Sequence, residues 1–422
     1  MIVLNFRGWW LILLFYSAVA LAENKPTVAH HDPIEVDHSL TLAKVVDITL
    51  EKFPDTAWLK ALEEEASAIK ERGKSWTAGA SQAGLRFQEA TTGTLHYVDA
   101  TVQVPLWNLG QRDAEQEYGL KAETSAELQT AAIKLRVAGL VRGALWEMEL
   151  QSVRYEQAKN DLELFEQLLA KVERRHELGD LPRVDVLLAQ TEFLEKLSVL
   201  TEAEAELMHA RKRYASITQL TKIPESYREK LTPLKKIEVN HPALIAINSQ
   251  LDRKKAELNA IKLVGSGQSN LMIGVNSDRP SNISANTPDP RSNDTESFNI
   301  GVNIPFGGES HLKPQVAAIN VELNRLLADR DQLFRDLELA HHEAEHHLEV
   351  NQAELEINNE NKKIAEEHLK MMELSFSVGE ISLMDLLKIR SRTQQAVLSA
   401  KERATMLERD IALYNQAVGV LP

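Results

Sequence analysis

Two kinds of hydrophobic periodicity follow one another twice along this chain. The first has a period of two residues and occurs at 98–106 and again at 298–306, where apolar and polar residues alternate. Such alternation predicts strands with one apolar face. A partner strand is predicted upstream of each, at 76–87, with a break in phase near Gln82, and at 270–276. The sequence thus predicts two β-hairpins.

The second kind of periodicity is helical and comes after each hairpin. From Gln315 to Val378, 64 residues contain neither proline nor glycine, which predicts a helix of about 96 Å. Its counterpart in the first half, 111–178, contains no proline. Narrow apolar stripes, such as the one that includes Leu407 and Ile411, favour coiled-coil packing of such helices. The predicted fold class is mainly α with a small β part.

A third regularity is an internal duplication. The stretch LGDLPRVDVLLAQ begins at Leu178 and VGEISLMDLLKIR begins at Val378, an offset of two hundred residues. A fixed offset indicates repeated architecture, and a glycine in each stretch marks a turn between helices. The predicted first repeat is 23–221 (hairpin 75–107, long helix 111–178, return helix 182–220). After a linker at 222–241, the second is 242–422 (helix 242–264, hairpin 269–306, long helix 312–378, return helix 382–419).

The N-terminus and the composition exclude several classes of protein. Residues 1–22 have the apolar core and the Ala20-Leu21-Ala22 ending of a secretory signal peptide. The chain contains no cysteine, so no disulfide framework is possible. Its net charge of −14 argues against a nucleic-acid partner, which would require a basic surface.

The strand count limits how this chain can meet a membrane. Four strands cannot close a barrel, because about eight are needed, and an open sheet edge is not tolerated in lipid. The apolar strand faces therefore imply one of two arrangements. Either a soluble sheet packs on another surface, or several chains pool their hairpins into one barrel, for which an eight-stranded dimer is also possible.

The order of these motifs resembles the TolC-like outer membrane efflux proteins. The resemblance rests on the signal peptide, VQVPLWNLGQR and VNIPFGGES at the strand ends, HPALIAINSQLD at the start of the second half, and the paired turns. It implies a homotrimer with a twelve-stranded barrel in the outer membrane, continued by an α-helical barrel across the periplasm. It further implies a passive export duct for small molecules or metal cations. The partners would be a periplasmic adaptor (membrane fusion protein), an inner membrane pump and outer membrane lipid, with no enzyme activity and no cofactor.

The resemblance also assigns roles to residues of the two turns. The adaptor-contact positions are Leu178, Gly179, Asp180, Val378, Gly379 and Glu380. The periplasmic gate positions are Asp185, Asp385, Phe376 and Lys388. Phe376 stands where the family often has a tyrosine, and Lys388 replaces a second acid. Simpler roles stay open, since acids also cap helix starts and glycines are needed in tight turns.

One motif points to different chemistry. His342, Glu343 and His346 fit H-E-x-x-H, in which two histidines one helical turn apart bind zinc and the glutamate acts as a base. Catalysis would need a third protein ligand, which this long helix does not supply nearby. Weak surface metal binding by His342 and His346, or a solvated polar face, are the other interpretations.

Two other classes of protein stay open as alternatives to an export duct. One is a secreted or periplasmic coiled-coil structural protein without a pore, and the other is a zinc hydrolase.

Overall fold

The structure, a computed structural model, describes residues 34–89, 91, 95–280 and 295–422. The predicted signal peptide lies outside these residues. The helices are α1 Leu42–Lys52, α2 Asp55–Lys74, α3 Gln111–Glu177, α4 Arg183–Thr218, α5 Pro242–Lys262, α6 Glu309–Ser377 and α7 Leu383–Ala417. The strands are β1 Glu35–Asp37, β2 Gln82–Glu89, β3 Leu95–Leu106, β4 Lys222–Pro224, β5 Ser269–Pro280 and β6 Thr295–Asn303. The predicted class, mainly α with a small β part, is confirmed.

The two predicted hairpins join into one four-stranded antiparallel sheet in the order β2-β3-β5-β6. The sequence did not predict the central β3–β5 pairing. Across the sheet, Leu85 faces Ala100, Ala100 faces Val275, and Val275 faces Phe298. Three of these four side chains are exposed large apolar groups, and the neighbouring rows that contain Val102, Ile273 and Ile300 continue the same face. The sheet therefore has one apolar face that nothing in the described chain covers.

The opposite face of this sheet is polar. Asp99 is paired with Asn276 in the ladder, and the side-chain amide of Asn299 donates to the Asn276 side-chain oxygen at 2.8 Å. Gln103 lies on the same face, where its amide contacts the sulfur of Met272 at 3.3 Å. The sheet thus has one apolar and one polar face, as the two-residue alternation in the sequence predicts.

Several element boundaries differ from the sequence prediction, for local reasons. β2 begins at Gln82 rather than 76, although the amide of Ala78 still donates to the Pro105 carbonyl at 3.0 Å. β6 ends at Asn303 rather than 306 because Pro305 has no N–H for the ladder. The second long helix begins three residues before the predicted start, with Pro314 in its second turn. The predicted helices 111–178, 182–220, 242–264 and 382–419 are each one to three residues shorter.

The chain divides into two compact units, and each takes segments from both sequence repeats. The unit that contains the helical turns, called the turn unit here, comprises residues 34–45, Leu140–Glu229 and His347–Ala412. The other, called the strand unit, comprises Val46–Gly139, Lys230–His346 and Leu413–Pro422. The long helices run through both units, so the compact units do not follow the repeat boundaries.

In the turn unit, polar side chains connect the helices along their length. Arg154 of α3 pairs with Glu402 of α7 at 2.6 Å, and Thr393 of α7 donates to the Ala365 carbonyl of α6 at 3.1 Å. The predicted linker contributes β4, which pairs in parallel with β1. The linker also contributes Glu229, which accepts two hydrogen bonds, of 2.8 and 2.6 Å, from the fully buried side chain of Arg142. These contacts fix the linker on α3, because a buried guanidinium left without its carboxylate would be costly.

In the strand unit, α2 packs closely on the first turns of α3. Arg72 pairs with Glu115 at 2.5 Å and Lys70 pairs with Glu123 at 2.6 Å. A Cβ at Gly119 would lie 2.9 Å from the Cα of Lys70, so glycine allows the two helices to approach. Gly119 within α3 therefore serves helix packing.

His241 stabilises the start of α5 and contacts the C-terminal segment of the strand unit. Its Nδ1 accepts the amide hydrogen of Ala243 at 3.2 Å, and Pro242 occupies the first helical position. A Cβ at Gly419 would lie 2.6 Å from the ring, so the C-terminal chain packs directly against this imidazole. Burial lowers the pKa of His241 below its usual 6.5, and the backbone of Ala417 offsets this only in part.

The lowered pKa of His241 predicts acid sensitivity. Below about pH 6.5 the unfolded chain binds the proton before the folded chain does, so the stability of the fold falls until the folded pKa is reached. His241→Asn keeps a capping side chain and removes the titration. We expect the wild-type unfolding temperature to fall more steeply than that of the variant between pH 8 and pH 5, followed by circular dichroism. Equal pH dependence of the two proteins would exclude His241 as the source.

Candidate functional site

The first helical turn ends α3 in a Schellman motif. The amide of Asp180 donates to the Arg175 carbonyl and the amide of Gly179 donates to the His176 carbonyl, both at 2.9 Å. These two bonds satisfy carbonyls that the end of the helix leaves without partners. The imidazole Nδ1 of His176 also lies 2.8 Å from the Leu181 carbonyl, which holds the chain as it leaves the turn.

The second turn repeats this geometry at the end of α6. The amide of Glu380 donates to the Ser375 carbonyl at 2.9 Å and that of Gly379 to the Phe376 carbonyl at 3.1 Å. Gly379 has φ +81° and Gly179 has φ +80°. A Cβ at either glycine would meet no atom within 4 Å. The left-handed backbone, which costs other residues about 1–2 kcal/mol, is therefore the reason for glycine at both positions.

Arg175 connects the two turns. Its Nε donates to Asp180 of the first turn at 2.5 Å, and its Nη1 lies 3.4 Å from the Phe376 carbonyl at the end of α6. The guanidinium carbon also lies 5.0 Å from the centre of the Phe376 ring, within the range of a cation–π contact. Phe376 thus contributes its ring face and its carbonyl where a tyrosine would contribute a hydroxyl. The sequence analysis missed Arg175, because no motif marks it.

An apolar cluster lies directly beneath both turns. Seven buried side chains from α3, α4 and α7 form it: Phe165, Leu168, Val172, Ala189, Leu383, Leu386 and Leu387. Phe376, Leu181 and Ile381 pack against this cluster from the ends of the two turns. The structure therefore brings the two duplicated stretches into one site, although they lie two hundred residues apart in sequence.

The tips of the turns expose apolar side chains. Leu178 is 70% exposed and Val378 is 66% exposed. Val184 and Met384, at the starts of the return helices, are also exposed, whereas Asp180 and Glu380 provide exposed carboxylates beside them. A set of exposed apolar groups with charged neighbours is typical of a protein interaction surface.

The acidic residues predicted at the gate have different environments. The Ser382 hydroxyl donates to Asp385 at 2.7 Å and accepts the Asp385 amide hydrogen at 3.2 Å. This is a capping arrangement at the start of α7. Asp185 is half-buried and follows Pro182, which offers no capping side chain. Within the described residues, the Asp185 carboxylate makes no hydrogen bond or ion pair, and Lys388 is an exposed side chain on α7.

The H-E-x-x-H residues lie on an exposed face of α6 in the strand unit. The rings of His342 and His346 are nearly parallel, at 9°, with centres 6.4 Å apart. Glu343 is also exposed. Among the residues that the structure describes, no three histidine or acidic side chains converge as a metal site would require. Within these residues, the helical pair is present without a third protein ligand.

No helix in the described ranges has a stretch long and apolar enough to cross a bilayer.

Comparison with protein-family models gives no match, and comparison with curated proteins gives none either. Solved structures match over 90% or more of this chain. CusC, a protein that forms a transmembrane channel, has a TM-score of 0.71 at 12% identity, over 94% of this chain and 96% of that one. The outer membrane protein VceC from Vibrio cholerae has a TM-score of 0.68 at 11% identity, over 90% and 97%. The MtrE outer membrane channel from Neisseria gonorrhoeae, in its open state, has 0.67 at 14%, over 90% and 89%. The chain therefore has the TolC-like fold of the outer membrane efflux channels.

Proposed function

We propose that this protein is the outer membrane channel of a tripartite efflux system. Three copies pool their four-stranded sheets into a twelve-stranded barrel, and their helices continue the duct across the periplasm. The helical turns dock on a periplasmic adaptor, and an inner membrane pump supplies the energy. The channel itself performs no reaction and exports small molecules or metal cations.

The observation that most directly supports this channel is the uncovered apolar face of the β2-β3-β5-β6 sheet. In the described chain, β2 pairs only with β3 and β6 only with β5, so both edges of the sheet are open. Exposed apolar strands next to open edges would aggregate in water, and an open edge in lipid would leave backbone groups without partners. Closure with the sheets of other copies resolves both problems at once.

Exposed apolar stripes on two helices of the turn unit support the same assembly. The α6 stripe consists of Val350, Ile357, Ile364 and Met371, all exposed and spaced seven residues apart. The α4 stripe consists of Val184, Leu187 and Leu194, also exposed. A strict seven-residue spacing is the pattern of a coiled-coil seam. We propose that the α6 stripe of one copy packs against the α4 stripe of the next.

The turns supply the proposed adaptor contact and gate. Leu178 and Val378 offer apolar contacts, with the exposed carboxylates of Asp180 and Glu380 beside them. Arg175 ties the two turns of one copy together, so it opposes their separation. Asp185 and Asp385 would add carboxylates near the closed end, where a ring of acids favours cations. Lys388 would weaken that preference.

The test of this proposal combines mass and conductance. We expect the protein extracted from outer membranes in detergent to have the mass of a trimer and to form ion-conducting pores in planar bilayers. The conductance should be small in the resting state because the turns close the duct. A protein that is recovered without detergent, as a monomer or dimer with no conductance, would instead support a coiled-coil structural protein without a pore.

A further inference from the structure

We propose that His342 and His346 form a two-histidine site for a divalent transition-metal cation on α6. Both side chains are exposed, lie one helical turn apart and have nearly parallel rings with centres 6.4 Å apart. Within the described residues, neither imidazole makes a hydrogen bond or ion pair. The ring nitrogens of both residues are therefore available without the loss of a hydrogen bond or an ion pair.

The neighbouring histidine on the same helix shows the contrast. His341 points to Tyr414, with its Nε2 3.3 Å from the hydroxyl, and that hydroxyl donates to the Leu234 carbonyl at 2.9 Å. His341 is thus held in the packing of the strand unit, whereas His342 and His346 face away from it. Among the described histidines of α6, His342 and His346 combine unbonded ring nitrogens with the one-turn spacing of a chelate.

The sequence around the pair favours cations. From Asp336 to Asn361 there is no lysine or arginine, and eight residues are acidic. Glu338 precedes His342 by one helical turn, and Glu345 is adjacent to His346. One of the eight, Glu354, pairs with Arg403 of α7 at 2.6 Å. The remaining excess of negative charge raises the local concentration of cations. This charge acts before any metal–nitrogen bond forms.

The donor set defines the chemistry of the site. Imidazole nitrogen is a ligand that zinc, copper and nickel accept, at about 2.0–2.1 Å for zinc. The two rings must tilt towards each other to reach one ion, which exposed side chains can do by rotation about χ1 and χ2. Water would complete the coordination, because no third ligand from the described part of the chain converges here. Such a site binds reversibly and exchanges its ion, and it does not depend on whether the chain forms a channel.

The experiment uses the full chain in detergent, without an added histidine tag and with metals removed, titrated with Ni²⁺ by calorimetry. We expect one saturable site per chain, and at least a tenfold lower association constant for His342→Gln or His346→Gln. The double variant should lose the site completely. His347→Gln, which removes an exposed histidine from the same turn, should bind as the wild type does.

A relocation variant separates chelation from histidine content. Gln352→His combined with His346→Gln keeps the number of histidines but places the second one at an exposed position ten residues from His342, where neither has a histidine one helical turn away. We expect no recovery of binding. Recovery in this variant, equal loss in His347→Gln, or the absence of saturable binding in the wild type would each overturn the proposal. Circular dichroism of all variants confirms that the helices are intact.

Discussion

Replacement of Ile357 and Ile364 together by glutamate is expected to abolish the trimer. Both side chains belong to the α6 stripe and are exposed in the single chain, so the substitutions leave the fold of each copy intact. In the assembled channel, each glutamate would be an unpaired carboxylate buried against the next copy, at a cost of several kcal/mol. Each would also forfeit the roughly 1.5–3 kcal/mol that burial of an isoleucine contributes. Every interface of the ring would carry both penalties.

The matched control for this variant is Gln352→Glu with Asn359→Glu. It adds the same two negative charges to the same helix, but each lies two residues after a stripe position and so about 200° around the helix. Size-exclusion chromatography with light scattering in detergent should give a trimer for the control and a monomer for the stripe variant. If both remain trimeric, the α6 stripe does not form the contact between copies, and the sheet alone would have to hold the assembly.

Much of the fold could be predicted from the sequence because strands and helices have different hydrophobic periods. Alternation at 98–106 and 298–306 marks strands, and long stretches without proline mark helices. The pairing of β3 with β5 could not be predicted in this way. It joins residues about 170 apart, such as Val102 and Ile273, and no local pattern specifies which hairpin edge meets which.

The candidate site shows the same division between local and distant information. The Schellman turns follow from Gly179 and Gly379, since only a left-handed glycine closes them without strain. The capping of α7 by Ser382 and Asp385 is also readable, as the S-x-x-D form of a capping box. Arg175 is different. Its contact with Phe376 depends on how two helices pack, and their packing is set by side chains that include Phe165 and Leu386.

Arg175 contacts both helical turns, and its removal is expected to have the second large effect. Arg175→Ala is expected to raise the conductance of the trimer in planar bilayers, because it removes both the Asp180 ion pair and the cation–π contact with Phe376. The ion pair is partly exposed and contributes about 0.2–1 kcal/mol, and the cation–π contact about 0.5–1 kcal/mol. Three copies that move together would multiply the effect. A total of roughly 3 kcal/mol corresponds to about a hundredfold shift between closed and open states.

Two further variants separate the contact between the turns from the positive charge of Arg175. Arg175→Lys keeps the charge but loses the planar fork that reaches two partners, so its conductance should lie between those of wild type and Arg175→Ala. Arg174→Ala is the control, because Arg174 is the adjacent arginine and, among the residues that the structure describes, its side chain pairs only with Glu177 of its own helix, at 2.9 Å. Conductance of Arg175→Ala no higher than that of Arg174→Ala would remove Arg175 from the gate. Higher conductance confined to the Arg175 variants would show that the contact between the two turns of each copy holds the duct closed.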